Sequence, residues 1–220
     1  MGSQLVQIIV LAGVAVFLVL RLRSVLGTRD GFEDTTKPAP AASSDSKRKF
    51  EVIDGGGTDF DISDHIEIES DSGKALAAMK RIEPGFNVSE FTRGARQAYE
   101  MILMAFENGD LEFLEKYLAP DVYESFASVI TARADSGLSV EATFVGVSGV
   151  KLIEAHFDEE NSEADITMKF VGELTSVVRD AAGEVVEGSA TAVKKQSDFW
   201  TFARLMGGDN PNWLLVGTGA

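Results

Sequence analysis

Side chains that could carry out catalysis or bind a metal are sparse in this sequence. The chain has no cysteine, which excludes disulfides, thiolate metal ligands and cysteine nucleophiles together. Its two histidines, His65 and His156, are too few and too far apart in the sequence to form a zinc site. The motifs of zinc proteases, calcium loops and serine hydrolases are also absent from the sequence. We therefore expect no catalytic residues, no metal and no cofactor.

One acidic cluster needs a separate interpretation. Asp158, Glu159, Glu160 and Glu163 lie within six residues of one another, and such carboxylates could hold a cation. A solvent-exposed turn between two strands is the simpler interpretation, because a turn of this composition is well solvated without any ligand.

The most apolar segment is Leu5–Leu22, LVQIIVLAGVAVFLVLRL. At a rise of about 1.5 Å per residue it predicts a helix roughly 27 Å long, enough to cross the hydrocarbon of a bilayer. Apolar side chains cover its whole circumference, which favours a membrane span over a buried core helix. The basic residues follow the apolar run, which disfavours a cleaved signal peptide. The predicted anchor residues are Leu5, Ile8, Ile9, Leu11, Val14, Phe17, Leu18, Leu20, Arg21 and Arg23.

Charge predicts the orientation of this span and limits the partners of the chain. Arg21, Arg23 and Arg29 follow the span, which predicts that its C-terminal end stays in the cytoplasm. We expect a single-pass protein of the inner (cytoplasmic) membrane that contacts lipid through its N-terminal helix. The net charge of −15 argues against nucleic acid as a partner, because a phosphate backbone requires clustered Lys and Arg.

A polar segment separates this anchor, residues 1–26, from the rest of the chain. Residues 27–83 include KPAPAASSDSKRK, and Phe50–Gly73 contains no Lys or Arg. This composition predicts a flexible acidic linker that cannot bury enough apolar surface to fold. The acidic stretch could instead dock a basic partner peptide, but a solvated tether is the simpler interpretation.

Residues 84–220 predict helices followed by strands. Helical periodicity covers Ser89–Glu107, with Ser89 near the N-cap and Gly109 at the C-terminal end, and two shorter helices begin after Asp110 and at Pro120. After Gly137 the periodicity changes to two, and three turns divide an antiparallel meander. The turns lie at residues 159–162, 180–183 and 207–211. This order predicts an α+β fold with the helices on one face of a curved sheet.

Two blocks of this region resemble a known family. They are AYEMILMAFENGDLEFLEKYLAPDVYESFASVITAR at residues 98–133 and SDFWTFARLMGGDNPNWLLVGT at residues 197–218. They are similar to the C-terminal domain of the peripheral subunit of the mitochondrial inner-membrane protein translocase, and most similar to its bacterial, membrane-anchored relatives. The resemblance implies a cone-shaped, nuclear-transport-factor-like domain with an apolar pocket. It also implies a non-enzymatic adaptor or scaffold with protein partners at a translocation or membrane-protein assembly machine.

The places of the large apolar residues on the predicted strands and helices indicate which of them could face that pocket. The candidates are the aromatic and apolar residues Tyr99, Phe106, Tyr123, Phe126, Ile166, Met168, Phe170, Trp200 and Phe202. They either form an ordinary core or leave a space for an acyl chain or an apolar peptide, which makes a lipid-binding or ligand-binding module the alternative function. Some proteins of this fold class are isomerases, so Tyr99, Tyr123 and Asp165 are the acid–base candidates. Asp165 falls on the polar alternation of its strand and is expected to face water.

Two further expectations concern the start of the first long helix and the arginine at the end of the Trp200 strand. Phe86, Val88 and Phe91 could dip into a membrane interface, but stapling the first long helix to the core is the simpler interpretation. Arg204 is expected to pair with a carboxylate and to fix the Asp209-Asn210 turn, with anion binding as the alternative.

Overall fold

The computed structural model describes residues 59–219. In this part of the chain five helices precede a four-stranded antiparallel sheet of order β1-β2-β3-β4. The helices are α1 (Phe60–Ser63), α2 (Asp71–Ile82), α3 (Val88–Asn108), α4 (Leu111–Tyr117) and α5 (Pro120–Asp135). The strands are β1 (Ser139–Asp158), β2 (Glu163–Arg179), β3 (Val185–Leu205) and β4 (Leu214–Gly219).

The predicted membrane span, Leu5–Leu22, lies outside the described residues. Among the helices of residues 59–219, none is both long and apolar enough to cross a bilayer.

The sheet confirms the predicted antiparallel meander and its three turns. Along β2, buried and partly exposed residues alternate from Ala164 to Leu174, so one face of the sheet is covered and the other is open. Three register shifts interrupt the pairing of β1 with β2, and such bulges bend a sheet. The long helix α3 makes its main sheet contacts with β1 and also reaches β2, and α2 packs on β1. The predicted α+β class, with helices on one face of a curved sheet, is therefore confirmed.

Helix α3 agrees with the prediction to within one residue at each end, but its N-cap differs. The cap is Asn87, whose side chain accepts a hydrogen bond from the amide of Glu90 at 2.8 Å, and Ser89 lies inside the helix. Gly109 ends the helix at φ 71°, in the left-handed conformation that glycine adopts most readily. Asp110 then caps α4 by accepting from the amide of Phe113 at 3.0 Å, as predicted.

The predicted linker, residues 27–83, is wrong in its last part, because residues 59–83 belong to the folded domain. Ile62 of α1 and Leu76 and Met79 of α2 are fully buried in the same core as the sheet residues. Ser70 caps α2 by accepting from the amide of Gly73 at 3.0 Å. Burial of this apolar face offsets the unfavourable composition of the segment. The folded domain thus begins before the predicted boundary at residue 84.

Asp61 joins the short helix α1 to the start of α3. Its two carboxylate oxygens accept from the amides of Val88 at 2.8 Å and Ser89 at 3.0 Å, which are free donors in the first turn of α3. The ammonium group of Lys80 on α2 bridges Asp61 at 3.0 Å and Asp59 at 2.7 Å. Burial alone raises the pKa of the Asp61 carboxyl, but these amides and Lys80 together lower it to about 2. One carboxylate therefore holds three helices together.

We predict that Asp61→Asn destabilises the full chain at pH 7 by on the order of 1–2 kcal/mol. A pKa difference of one between the folded and unfolded chain corresponds to about 1.36 kcal/mol, and the total is reduced because the carboxylate is partly exposed to solvent. The folded pKa of Asp61, about 2, lies below its reference value of 3.8. The stabilisation is therefore complete above about pH 4 and disappears as the pH falls through about 2. Urea unfolding of the wild type and the variant between pH 7 and pH 3 measures the difference.

The matched control is Asp64→Asn, which removes an exposed carboxylate from the residue that follows α1. It should leave the unfolding midpoint nearly unchanged at every pH. A stability difference for Asp61→Asn that stays constant down to pH 3 would contradict the ionic contribution of Asp61.

Candidate functional site

The predicted pocket residues divide into two groups in the structure. Tyr99 of α3 stacks on Phe170 at a centroid distance of 4.6 Å and contacts Trp200 at 4.7 Å. Trp200 and Phe202 are in aromatic contact with each other and with Phe170. Since these rings contact one another directly, this group forms packed core. Its six members, all buried, are Tyr99, Ile166, Met168, Phe170, Trp200 and Phe202.

Two partly buried polar side chains, Asp198 and Gln196, border this aromatic layer. The hydroxyl of Tyr99 donates to the Asp198 carboxylate at 2.6 Å, and the side-chain amide of Gln196 donates to the hydroxyl at 3.2 Å and to Asp198 at 2.9 Å. Burial, and then the Asp198 carboxylate, raise the pKa of the Tyr99 phenol far above its usual range. Tyr99 is therefore a neutral donor with its hydrogen bonds satisfied.

Gly172 gives the Tyr99 ring its space. A Cβ atom at Gly172 would lie 2.6 Å from the Tyr99 hydroxyl and 2.9 Å from the ring. Neither distance is possible for real atoms, so any side chain at position 172 would displace the ring. The sequence shows a glycine inside a strand here, and such a glycine often marks a close approach by another group.

The second group contains Phe106, Tyr123 and Phe126, which are only partly buried. Phe106 contacts Phe126 at 4.9 Å between ring centroids, and the Arg133 guanidinium lies 4.6 Å from the centroid of Phe106. Beside them, burial raises the pKa of the Glu107 carboxyl, and Arg133 offsets part of that rise. Of the predicted pocket residues, these three are the ones whose side chains are partly exposed to solvent.

Arg204 confirms its predicted pairing. Its guanidinium donates to the Glu83 carboxylate at 2.7 Å and to the backbone oxygen of Pro211 at 3.2 Å. The same carboxylate accepts from the amide of Gly207 at 3.2 Å, so Glu83 and Arg204 hold both sides of the β3–β4 turn. Burial alone raises the pKa of the Glu83 carboxyl, but Arg204 brings it below its usual value.

The start of α3 also agrees with the simpler prediction. Phe86, Val88 and Phe91 are buried, and Phe91 packs edge-on against Trp213 at 4.7 Å. These side chains staple the helix to the core and are not exposed to a membrane interface.

The three acid–base candidates are not brought together. Tyr99 is buried in the layer under α3, whereas Asp165 lies on the open face of β2 and faces water, as predicted. In the acidic turn, the Asp158 carboxylate accepts from the amide of Glu160 at 2.9 Å and from the side chain of Asn161 at 2.7 Å. Within residues 59–219 no three His, Cys, Asp or Glu side chains form a group that could hold a metal ion.

Sequence reasoning missed a groove between α2 and the edge of β1. Ser72 accepts from the backbone amide of Ala155 at 3.0 Å, so a helix side chain satisfies one donor of the free strand edge. Small side chains on α2, Ala75 and Ala78, leave room beside the strand. The helical spacing of Leu76 and Met79 was the signal that could have revealed this helix. The predicted linker extended across it.

These features define a small α+β domain in which helices cover one face of an antiparallel sheet through a packed aromatic layer. The sequence model of the Tim44-like domain matches residues 72–220. The chain therefore belongs to the Tim44-like domain family, and the match begins within α2.

The relatives that match are translocase subunits. The chain is 25% identical over 151 residues to the mitochondrial import inner membrane translocase subunit TIM44 of Homo sapiens, covering 67% of this chain and 33% of that protein. It is 23% identical over 145 residues to the subunit TIM44-1 of Arabidopsis thaliana, covering 66% of this chain and 30% of that protein. The match thus spans about a third of the length of these relatives. Among solved structures, the intermembrane space region of the chloroplast protein ARC6 aligns with 66% of this chain and 94% of that chain, with a TM-score of 0.39 and 14% identity.

Proposed function

We propose that this protein is a membrane-anchored, non-enzymatic adaptor that assists protein translocation or membrane-protein assembly at the inner membrane. The observation that carries the proposal is the Tim44-like domain itself, whose matching relatives are named as subunits of an import translocase. The hydrogen bonds of Tyr99 agree with a non-enzymatic role, because the hydroxyl of this acid–base candidate is already bonded to Asp198 and Gln196.

The sequence adds the anchor to this proposal. Leu5–Leu22 spans the membrane, the arginines after it keep the domain on the cytoplasmic side, and the domain is held next to membrane-bound partners. Such confinement raises the effective concentration of the domain near its partners without adding any contact. The bent sheet with its helices on one side is compatible with the cone of the nuclear-transport-factor-like fold, which we include in the proposal.

Carbonate extraction tests the anchor. We expect the full chain to stay in the membrane pellet at alkaline pH, because the span is held by apolar burial and not by charge. Replacing Leu11 and Val14 by arginine should move it to the supernatant, since a charged residue in the middle of a span is costly. Thr28→Arg, outside the span, is the matched control and should stay in the pellet. A wild-type chain found in the supernatant would contradict the proposed membrane anchor.

Crosslinking in native membranes tests the adaptor role. A photoreactive residue at exposed positions of α5, such as Glu124 or Ser128, should capture subunits of a translocation or insertion machine. The same probe in the chain with the arginine-substituted span should lose those products. Products that contain no such subunit would contradict the proposed function and would favour the ligand-binding alternative if lipid co-purified with the domain.

A further inference from the structure

The open face of the sheet, opposite the helices, carries exposed apolar side chains and charged side chains. Within this face the Lys169 ammonium lies 5.2 Å from the centroid of the Phe199 ring, and Glu173 pairs with Lys195 at 3.4 Å. On β2 the residues of this face, from Glu163 to Glu173, are all at least partly exposed, while their neighbours in sequence are buried under the helices. Large apolar side chains stand among them, with exposed fractions of 55% at Val145, 36% at Ile153 and 61% at Leu205. The bulges at Val145 and Ile153 place these residues on this face. An unpartnered sheet face of this kind is a candidate interaction surface.

Four charged side chains on this face form no ion pair in the described part of the chain. Lys151 and Lys169 lie directly opposite each other in the β1–β2 register, an arrangement that is unfavourable for like charges. Asp165 lies four residues before Lys169 on β2, and its neighbours on this face are the like-charged Glu163, two residues earlier, and His156, directly opposite on β1. Among residues 59–219, none of these four side chains takes part in an ion pair. The unpaired cations and anions are therefore separated along the strands.

This arrangement is symmetric about the row that contains Thr167 and Thr201, whose hydroxyls are 2.9 Å apart. Lys169 lies two residues to one side of Thr167 and Asp165 two residues to the other, each roughly 6.6 Å away at about 3.3 Å per residue. A two-fold axis along this row, in the plane between two stacked sheets, would place each Lys169 opposite the Asp165 of a second copy. Stacked sheets lie about 10 Å apart, a gap that a lysine and an aspartate can bridge together.

Strands β3 and β4 fit the same operation. On β3, Phe199 is in the row of Lys169 and Ala203 is in the row of Asp165, so a large side chain would face a small one. On β4, Gly219 and Leu214 occupy these two rows, again a small residue opposite a large one. This alternation of size and charge about one axis is what an isologous interface requires.

We infer that the open face of the β1–β4 sheet binds the same face of a second copy of this chain, with the two-fold axis along the Thr167–Thr201 row. On the edge strand, Lys151 is in the row of Lys169 and His156 is in the row of Asp165, so the operation places Lys151 opposite His156 of the second copy, with the carboxylates of Glu154 and Asp158 on either side of it. Ten residues on each of β1, β2 and β3 and the six residues of β4, at about 3.3 Å per residue and about 4.8 Å between strands, cover roughly 600 Å² per copy, somewhat less than the roughly 800 Å² that a stable interface buries on each partner. This inference goes beyond the proposed adaptor role and does not rest on it.

A charge exchange tests the two-fold arrangement. In the full chain in non-ionic detergent, Lys169→Glu and Asp165→Lys should each weaken dimerisation at least tenfold, measured by sedimentation over a concentration series. The chain with both substitutions should return to within about threefold of the wild type, because each new lysine again meets a carboxylate. Circular dichroism of each variant checks that the fold is kept. A monomeric wild type, or a double variant no better than the singles, would overturn the inference.

A thiol crosslink gives a second, independent measurement. Because the chain has no cysteine, Thr167→Cys introduces its only thiol, and that thiol would lie next to its symmetry mate. A short bifunctional thiol reagent should convert most of this variant to a covalent dimer in membranes. Ser125→Cys, exposed on α5, is the control and should stay monomeric. Equal crosslinking of both variants, or crosslinking of Thr167→Cys to other proteins only, would contradict a second copy at this face.

Discussion

A chain that begins at Glu83 should fail to fold, although the sequence alone predicts that residues 27–83 are a flexible linker. The shortened chain lacks Ile62, Leu76 and Met79, which are fully buried against the core. Truncating a buried Leu, Ile or Met to Ala typically costs about 2–5 kcal/mol, and here three such residues are removed together with their helices. Since small domains are stable by only about 5–15 kcal/mol, this loss is close to the total.

The loss extends beyond apolar burial. Without Asp61, the amides of Val88 and Ser89 lose their acceptors at the start of α3. Without Ser72, the amide of Ala155 on the edge strand loses its acceptor, and the edge is no longer covered by α2. We expect the shortened chain to aggregate as well as to unfold.

The measurement compares two truncations by circular dichroism and urea unfolding. A chain that begins at Thr58 keeps all described contacts and should unfold cooperatively with the midpoint of the full chain. A chain that begins at Glu83 should show no cooperative transition. Similar midpoints for the two chains would mean that α1 and α2 contribute little and that the linker boundary of the sequence analysis is right.

Helix α3 and the strands were predicted from the sequence and helices α1 and α2 were not, and this difference shows which kind of structure the sequence could predict. Helix α3 and the strands were found because their apolar residues repeat over many turns or alternate along a strand, and those patterns depend only on local geometry. In α1 and α2 the pattern is short and lies among Asp, Ser and Gly, so composition suggested disorder. What stabilises them is distant in sequence, namely the Asp61 contacts with α3 and the contacts of α2 with β1.

The candidate site shows a second limit. Alternation correctly identified Ile166, Met168 and Phe170 as residues of the covered face, yet it could not say whether the space above them is filled. Whether that space is filled depends on the Tyr99 ring, which packs over Gly172. This contact joins α3 to β2, and no local sequence pattern predicts it. The pairing of Arg204 with a carboxylate was predicted from its position at the end of its strand beside the Asp209-Asn210 turn, whereas the partner itself, Glu83, is 121 residues away.

Trp200→Ala should lower the free energy of unfolding by about 3–5 kcal/mol, the range observed when a buried tryptophan is removed from a core. The Trp200 side chain is only 5% exposed and contacts three other rings, those of Tyr99, Phe170 and Phe202. The cavity left by the ring would lie beside the hydrogen-bonded side chains of Tyr99, Asp198 and Gln196. The Tyr99 hydroxyl and Asp198 would then be held less firmly.

Urea unfolding followed by circular dichroism measures this effect without relying on tryptophan fluorescence. Val129→Ala on α5 is the control, because Val129 is 43% exposed and its truncation should cost little. If an unfilled pocket already existed beside Trp200, truncating the ring would enlarge a space that is already empty and the loss would fall well below 3 kcal/mol. A small loss together with increased binding of an apolar dye would therefore favour the ligand-binding alternative, whereas the full loss indicates that the layer under α3 is solid core.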